Sequence, residues 1–336
     1  MQPHLDIPVR EPSQVGEARR AAARLAAEVA LNEVDAGRLA LVVTELGTNL
    51  ARHASQGRIL LGCHSLGGQQ GVDVLSLDEG PGMADVGQCL RDGYTTGGTP
   101  GTGLGAVQRL ADEFSVFSQP GQGSVIVARV MRRTPAGAPG GAPPAFEVGA
   151  VCLPAPGETV SGDGWALATD GDRAGVVVVD GLGHGPQAAE ASDAALAVFR
   201  GANGRSPSDT LTLAHGAMRS TRGAAMAMAR LDASAGTLVF SGAGNIAGRI
   251  ISGVGDRSLM SQHGTVGLQI RRLQDMHYAW PAAAALVLHS DGLVTRWDVS
   301  SAPGLLQCHP LAIAGWLVRH HVRGRDDATV VVVRRR

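Results

Sequence analysis

Two helical stripes open the chain. From Ser13, which can cap a helix, apolar residues recur at helical spacing to about Leu31. From Asp35, a second possible cap, another stripe runs through Leu39, Leu41, Val42, Val43, Leu46 and Leu50. The period then shortens. Ile59-Leu60-Leu61 and Val72 to Leu77 read as strands joined by the turn-rich stretch Gly67 to Gly71. A Gly/Thr-rich loop from Asp92 to Gly103 feeds a predicted helix at Leu104 to Ala111. A hairpin turning at Gln119 to Gly123 closes the region, with Ser124 to Val130 as its second strand. Helices on one side of a mostly antiparallel sheet predict an α+β sandwich.

The stretch Thr134 to Ala145, built of Pro, Gly and Ala after its first residue, can hold neither helix nor ladder. It predicts a linker at 134–145 between a first domain, 1–133, and a second, 146–336. Strand patterns dominate the second: Trp165 to Thr169, Gly175 to Asp180, Ala225 to Leu231, Thr237 to Phe240, Ala284 to His289 and Thr329 to Val333. Helical patterns fall near Gln187 to Arg200, Pro207 to Arg219 and Leu311 to His320. This region too reads as layered α/β, without internal repeats.

Composition narrows the chemistry. All 29 basic residues are arginine, so a P-loop, a eukaryotic-type kinase and a lysine Schiff-base enzyme are excluded. A net charge of -1 over 336 residues gives no footprint for nucleic acid. No apolar run approaches the roughly 18 to 20 residues that span a bilayer, and the N-terminus lacks a signal-peptide pattern. Cys63, Cys89, Cys152 and Cys308 are scattered, with no CxxC pair. Together these features predict a cytoplasmic protein with no membrane partner.

Glu45 and Asn49 lie four residues apart and project from one helix face. An Asn there can bind a Mg²⁺ ion that also holds phosphates, and a carboxylate one turn away can orient a hydroxyl for in-line attack. By itself the pair reads as a solvated polar stripe rather than a site. After a strand comes Asp78-Glu79-Gly80-Pro81-Gly82-Met83, in which Asp78 could accept from an exocyclic amine. Gly97 to Gly105 then offers backbone N–H groups and a helix N-terminus to phosphates.

In this order the three elements resemble the GHKL ATPase family, and within it the anti-sigma-factor kinases of the RsbT type, across roughly residues 10 to 131. The resemblance implies a Bergerat-type ATP-binding α/β sandwich with Glu45 as catalytic base and Asn49 as Mg²⁺ ligand. It implies ATP contacts at Asn49, Asp78, Gly80, Gly82, Gly101, Gly103, Leu104, Gly105 and Ser124, the last standing where family members usually carry Thr. His53 is expected to be a packed or surface residue.

Four aspartate patterns punctuate the second domain: Ser161-Gly162-Asp163-Gly164, Asp180-Gly181-Leu182-Gly183-His184-Gly185, Ser290-Asp291-Gly292-Leu293 and Arg325-Asp326-Asp327-Ala328. Each Asp-Gly pair alone reads as an ordinary turn. Carboxylates at strand ends can instead gather on one sheet edge, where their repulsion is offset by hard cations. In their order these patterns resemble the PPM-type phosphatases of the SpoIIE/RsbX branch, across roughly residues 146 to 334. The resemblance implies an α/β sandwich of layered sheets flanked by helices. It implies two Mg²⁺ or Mn²⁺ ions held by Asp163, Asp180, Asp291, Asp326 and the Gly181 carbonyl, with Asp326 preferred to Asp327 and His184 structural. Ser241 to Ala247 mimics a dinucleotide fingerprint, but a strand-like run follows it, so a glycine-rich hairpin or bulge is expected.

The two resemblances imply a bifunctional signalling enzyme. One domain would phosphorylate Ser or Thr on a STAS-domain antagonist protein, and the other would hydrolyse phosphoserine or phosphothreonine. Two alternatives stand beside it: an ATP-binding module that sequesters a sigma factor, and a nucleotide-sensing domain that regulates the phosphatase.

Overall fold

The computed structural model describes residues 2–91, 103–133, 145–202 and 204–336. The glycine loop at 92–102, with Gly101, and the linker stretch 134–144 lie outside the described residues. The described chain forms two units. One gathers His4 to Arg133 together with Ala302–Trp316; the other gathers Ala145 to Ser301 together with Leu317–Arg336.

The first unit runs β1 (Leu5–Pro8), α1 (Pro12–Glu28), α2 (Glu33–His53), β2 (Arg58–Leu66), β3 (Gln69–Asp78), α3 (Val86–Cys89), α4 (Gly103–Leu110), β4 (Glu113–Ser118) and β5 (Ser124–Met131). Its sheet has the order β1-β2-β3-β5-β4, antiparallel throughout. The helices bury an apolar stripe on one face: Val15, Ala18, Ala22 and Leu25 from α1 and Leu39, Val42, Leu46 and Leu50 from α2 meet Ile59, Leu61, Val72 and Val74. The opposite face is also buried, because Ala302–Trp316 belongs to this unit and Gly315 packs on Leu75, Leu77 and Val125.

Both expected helix caps shift. Helix α1 begins at Pro12, whose ring already supplies the helical φ. The cap is Glu11 rather than Ser13, with the Arg10 and Glu11 N–H groups donating to Gln14 Oε1 at 2.6 and 3.2 Å. In α2, Asn32 takes the cap and accepts from the Asp35 N–H at 2.8 Å. Asp35 itself is buried and pairs with Arg38 at 3.0 Å, since a buried carboxylate needs a charged partner more than a helix needs a second cap. Arg38 also donates to the Leu110 carbonyl at the end of α4 and to Asp112 at 3.0 Å. This clamp fixes α2 against the helix that follows the glycine loop.

The second unit contains β6 (Phe146–Leu153), β7 (Asp163–Asp170), β8 (Arg173–Gly181), α5 (Pro186–Gly201), α6 (Pro207–Ala217), β9 (Ala224–Asp232), β10 (Thr237–Ala243), β11 (Ala247–Ile251), β12 (Arg257–Leu259), β13 (Gly264–Thr265), β14 (Gln269–Ile270), β15 (Met276–Ala279) and β16 (Ala285–His289). Helix α7 (Pro310–His321), whose first half lies in the first unit, and β17 (Ala328–Arg335) complete it. Its five-stranded sheets have the orders β15-β10-β9-β8-β7 and β12-β11-β16-β17-β6, beside a β13-β14 ribbon. Helices α5 and α6 cover the first of these through Leu196, Phe199 and Leu211 against Val177, Val179 and Met226. Val176 to Val179 are fully buried on both strand faces, which explains an unbroken valine run where one-sided burial would alternate. The expected α+β architecture, with layered sheets flanked by helices, is observed in the described residues.

Of the hairpin or bulge expected at Ser241 to Ala247, the hairpin is not formed, because β10 and β11 lie in different sheets and do not pair. The stretch carries the chain from one layer to the other. Among the described residues, no helix is long and apolar enough to cross a membrane.

Candidate functional site

In the first unit, Glu45 and Asn49 sit half-buried on α2, one turn apart. Gly103, the first residue of α4, lies directly over them. A Cβ at 103 would fall 3.2 Å from Glu45 Oε2 and 3.6 Å from Asn49 Oδ1, so glycine keeps a cradle open between the two helices. Leu104 and Gly105 are buried behind it in α4. The chemistry of this donor set, a carboxylate and a carboxamide facing a helix N-terminus, suits phosphates with a hard cation.

Asp78 ends β3 in a buried position opposite Ser124 on β5. Its Oδ1 accepts the Gly80 N–H at 2.8 Å. The Ser124 hydroxyl lies 3.0 Å from that of Ser118, which accepts the Met83 N–H at 2.8 Å. Gly82 turns the intervening loop with φ at 68°. The same loop is held to the end of α2, where the Glu79 N–H donates to the Ser55 carbonyl at 2.8 Å. His53, the last residue of that helix, is exposed. Asp78, Gly80, Gly82 and Ser124 thus form one group beside the C-terminal end of the helix that carries Glu45 and Asn49.

In the second unit, Asp163 opens β7 and lies directly opposite Asp180 near the end of β8. Asp291 follows β16, and Asp326 and Asp327 precede β17; these two strands pair so that His289 faces Val330. All of these carboxylates therefore come to one rim of the two sheets. The glycines beside them are there for close approach rather than for turns. A Cβ at Gly181 would fall 2.2 Å from the Ala188 carbonyl oxygen, and one at Gly292 would fall 1.9 Å from that of Asp327. Ser290 joins the layers, donating to Asp163 Oδ2 at 2.6 Å and accepting the Thr329 N–H at 3.0 Å.

Burial pushes the Asp180 carboxyl up to about 7, and the charges of Asp291 and Asp326 add to it. Burial and the facing Asp180 raise Asp163 as well. Among the described residues, no three acidic, histidine or cysteine side chains are already drawn into a ligand shell. The rim is nevertheless crowded with negative charge that a hard cation would relieve, and its donors are oxygens, which suits Mg²⁺ or Mn²⁺.

The neighbouring aspartates 326 and 327 differ sharply. Asp327 is buried and accepts the Ala155 and Gly162 N–H groups at 2.8 and 2.9 Å. Asp326 is half-buried, accepts the Asp327 N–H at 2.9 Å, and adds its charge to the environment of Asp180. His184 lies at the surface, 2.8 Å from Glu158 Oε1. Two residues at the rim escaped the sequence reading. Ser290 sits inside a recognised pattern, but nothing in the sequence gives it a partner in the other sheet. Asn245 donates to Asp291 Oδ2 at 2.7 Å from within the stretch dismissed as a false fingerprint.

Comparison with known proteins gives a separate match for each of two regions. Residues 9–130 match the histidine kinase-like ATPase domain, and residues 170–336 match the stage II sporulation protein E domain, SpoIIE. Over 111 residues the chain is 35% identical to the serine/threonine-protein kinase RsbT of Bacillus subtilis (strain 168), covering 33% of this chain and 84% of RsbT. A solved chain of the bacterial stressosome, a modular system adapted to control secondary messenger signalling, is 26% identical with a TM-score of 0.53; the match covers 56% of this chain and 99% of that one. RsbX in complex with magnesium shares the fold at 19% identity and a TM-score of 0.51, over 57% of this chain and 96% of that one. The fold and the comparisons thus define a fusion of an ATPase domain with a PPM-type phosphatase domain. The chain belongs to the histidine kinase-like ATPase family through its RsbT-like N-terminal region, joined to a SpoIIE domain.

Proposed function

We propose that the chain is a bifunctional regulator of a partner-switching pathway. Its first unit transfers phosphate from ATP to Ser or Thr on a STAS-domain antagonist, and its second unit removes phosphate from a regulatory protein. The observation that carries this reading is the meeting of Asp163, Asp180, Asp291 and Asp326 at one rim, in a chain that also keeps Glu45 beside the open cradle at Gly103. A module that only sequestered a partner would need no carboxylate at position 45.

In the first unit, Glu45 would accept the proton of the incoming hydroxyl, and Asn49 would hold the Mg²⁺ that accompanies the nucleotide. Asp78, fixed by the Gly80 amide, accepts from the exocyclic amine of adenine, with the Ser124 hydroxyl beside it. In the second unit, Asp163, Asp180, Asp291, Asp326 and the Gly181 carbonyl would hold two Mg²⁺ or Mn²⁺ ions. Bound there, the ions supply charge neutralisation and an activated water for phosphoester hydrolysis. Asp327 serves the site indirectly, by pinning Ala155 and Gly162 so that Asp163 stays at the rim.

The test separates binding from chemistry. Glu45→Ala is expected to retain ATP affinity and lose phosphate transfer; Asp180→Asn is expected to lose Mn²⁺-dependent hydrolysis of a phosphoserine protein. Transfer that persists in Glu45→Ala would discard the kinase assignment. Wild-type protein that binds ATP but transfers nothing to a STAS-domain partner would favour a nucleotide sensor or a sequestering module.

A further inference from the structure

Beyond the carboxylates and Ser290, a further neutral side chain at the rim donates to one of the aspartates. Asn245 lies in the crossing from β10 to β11, and its Nδ2 donates to Asp291 Oδ2 at 2.7 Å. The crossing is anchored on both sides of Asn245. Gly244 N–H donates to the Gln262 carbonyl at 2.9 Å, Gln262 N–H to the Gly242 carbonyl at 2.8 Å, and Ser261 Oγ to the Ile246 carbonyl at 3.0 Å. Gly244 takes φ of 95°, and a Cβ there would fall 2.6 Å from that of Ala225, the residue that pairs with Asp180 across β8 and β9. Close packing of Gly244 on the strand beside Asp180 thus brings the next side chain over the acidic rim. Asn245 is exposed, so the bond does not serve burial of its own amide. Its acceptor is a carboxylate surrounded by others, where a charge-assisted bond from a neutral group orients the side chain without adding charge.

We propose that Asn245 is a positioning residue for Asp291: its amide holds one carboxylate oxygen and thereby presets the rim for a divalent cation. This inference rests on the reading of the rim as a cation site. Outer-shell partners of this kind affect metal affinity by about 10- to 100-fold when removed. Asparagine fits the role because a carboxylate at 245 would add repulsion, and an aliphatic residue would leave Asp291 free to rotate.

The experiment is calorimetric titration of the full chain with Mn²⁺, without substrate, for wild type, Asn245→Ala, Asn245→His and Asp180→Asn. Histidine carries Nδ1 at the same bond distance from the backbone as the asparagine amide, so it restores a donor. The expected result is Mn²⁺ affinity weakened about tenfold in Asn245→Ala, within the range for outer-shell partners, and recovered in Asn245→His. Thermal unfolding in chelator should be the same for both variants and wild type. Wild-type affinity in Asn245→Ala, with binding lost in Asp180→Asn, would overturn the role of Asn245 while leaving the cation site intact. A loss that histidine fails to restore would also overturn it, since the turn and not the donor would then matter. Unchanged Mn²⁺ binding in Asp180→Asn would remove the cation site and this inference with it.

Discussion

Asp163 and Asp180 stand directly opposite each other across the antiparallel pair β7 and β8, with Ser290 of the other sheet donating to Asp163 at 2.6 Å. Two carboxylates in register, one of them buried and the other nearly so, destabilise the fold unless something offsets them. Asp180→Asn removes one charge from this rim. In chelator, at pH values above about 7 where the Asp180 carboxyl is ionised, the variant should therefore be more stable than wild type, and the difference should vanish below about pH 4. In Mn²⁺ the order should reverse. Tryptophan-monitored thermal unfolding, with and without the ion, reads both; a variant less stable than wild type in chelator would contradict the crowding argument.

The two adjacent aspartates before β17 should separate cleanly. Asp327→Asn weakens the acceptors for two buried backbone amides and should cost about 1–3 kcal/mol of stability. Asp326→Asn relieves part of the charge crowding on Asp180, so its stability in chelator should equal or exceed that of wild type, but Mn²⁺-dependent hydrolysis should be abolished. Urea melts in chelator paired with phosphatase rates will show this division, and the opposite pattern would exchange the two roles.

Gly103→Ala places a methyl group 3.2 Å from Glu45 Oε2. Alanine is favoured over glycine in a helix by roughly 0.5–1 kcal/mol, so the fold should be unharmed. ATP affinity, followed with a fluorescent analogue, should fall about tenfold, a loss of about 1.4 kcal/mol. Unchanged affinity would show that the space over Glu45 and Asn49 is not where phosphates lie.

Acid should probe a different pair. Burial opposes ionisation of Asp73, but the Arg129 guanidinium, 2.5 Å away, holds its carboxyl down to about 2. A depressed carboxyl contributes stability that is complete above its unfolded value near 4 and is lost as pH falls towards 2. Asp73→Asn should therefore destabilise β3 and β5 by about 3 kcal/mol at pH 7, the scale for breaking a buried pair. The difference from wild type should shrink between pH 4 and pH 2. Hydrogen exchange of the β3 and β5 amides measures it, and a difference independent of pH would contradict the assignment.

Local pattern carried much of this structure. The i,i+4 pair Glu45 and Asn49 needs only helical periodicity to share a face, and the valine run before Asp180 needs only burial to become an inner strand. Helix starts were less legible, because Asn32 and Asp35 are equally good caps in isolation and only the buried Arg38 decides between them. Long-range partnerships were not legible at all. Asn245 and Asp291 meet across 46 residues, and Ser290 and Asp163 across 127. The stretch around Asn245 reads as a hairpin or bulge because its strands are adjacent in sequence; the sheet crossing depends on partners far along the chain. Asp326 and Asp327 are chemically identical neighbours, distinguished only by which of them the Ala155 and Gly162 amides capture.

The central claim is that one chain both adds and removes phosphate. It is tested by incubating the full chain with γ-labelled ATP, Mg²⁺ and Mn²⁺, and a candidate STAS-domain partner, beside Glu45→Ala and Asp180→Asn. The account predicts label on the partner that vanishes with Glu45→Ala and accumulates above wild type with Asp180→Asn. Absence of label in every lane, with ATP binding intact, would contradict opposed activities on that partner.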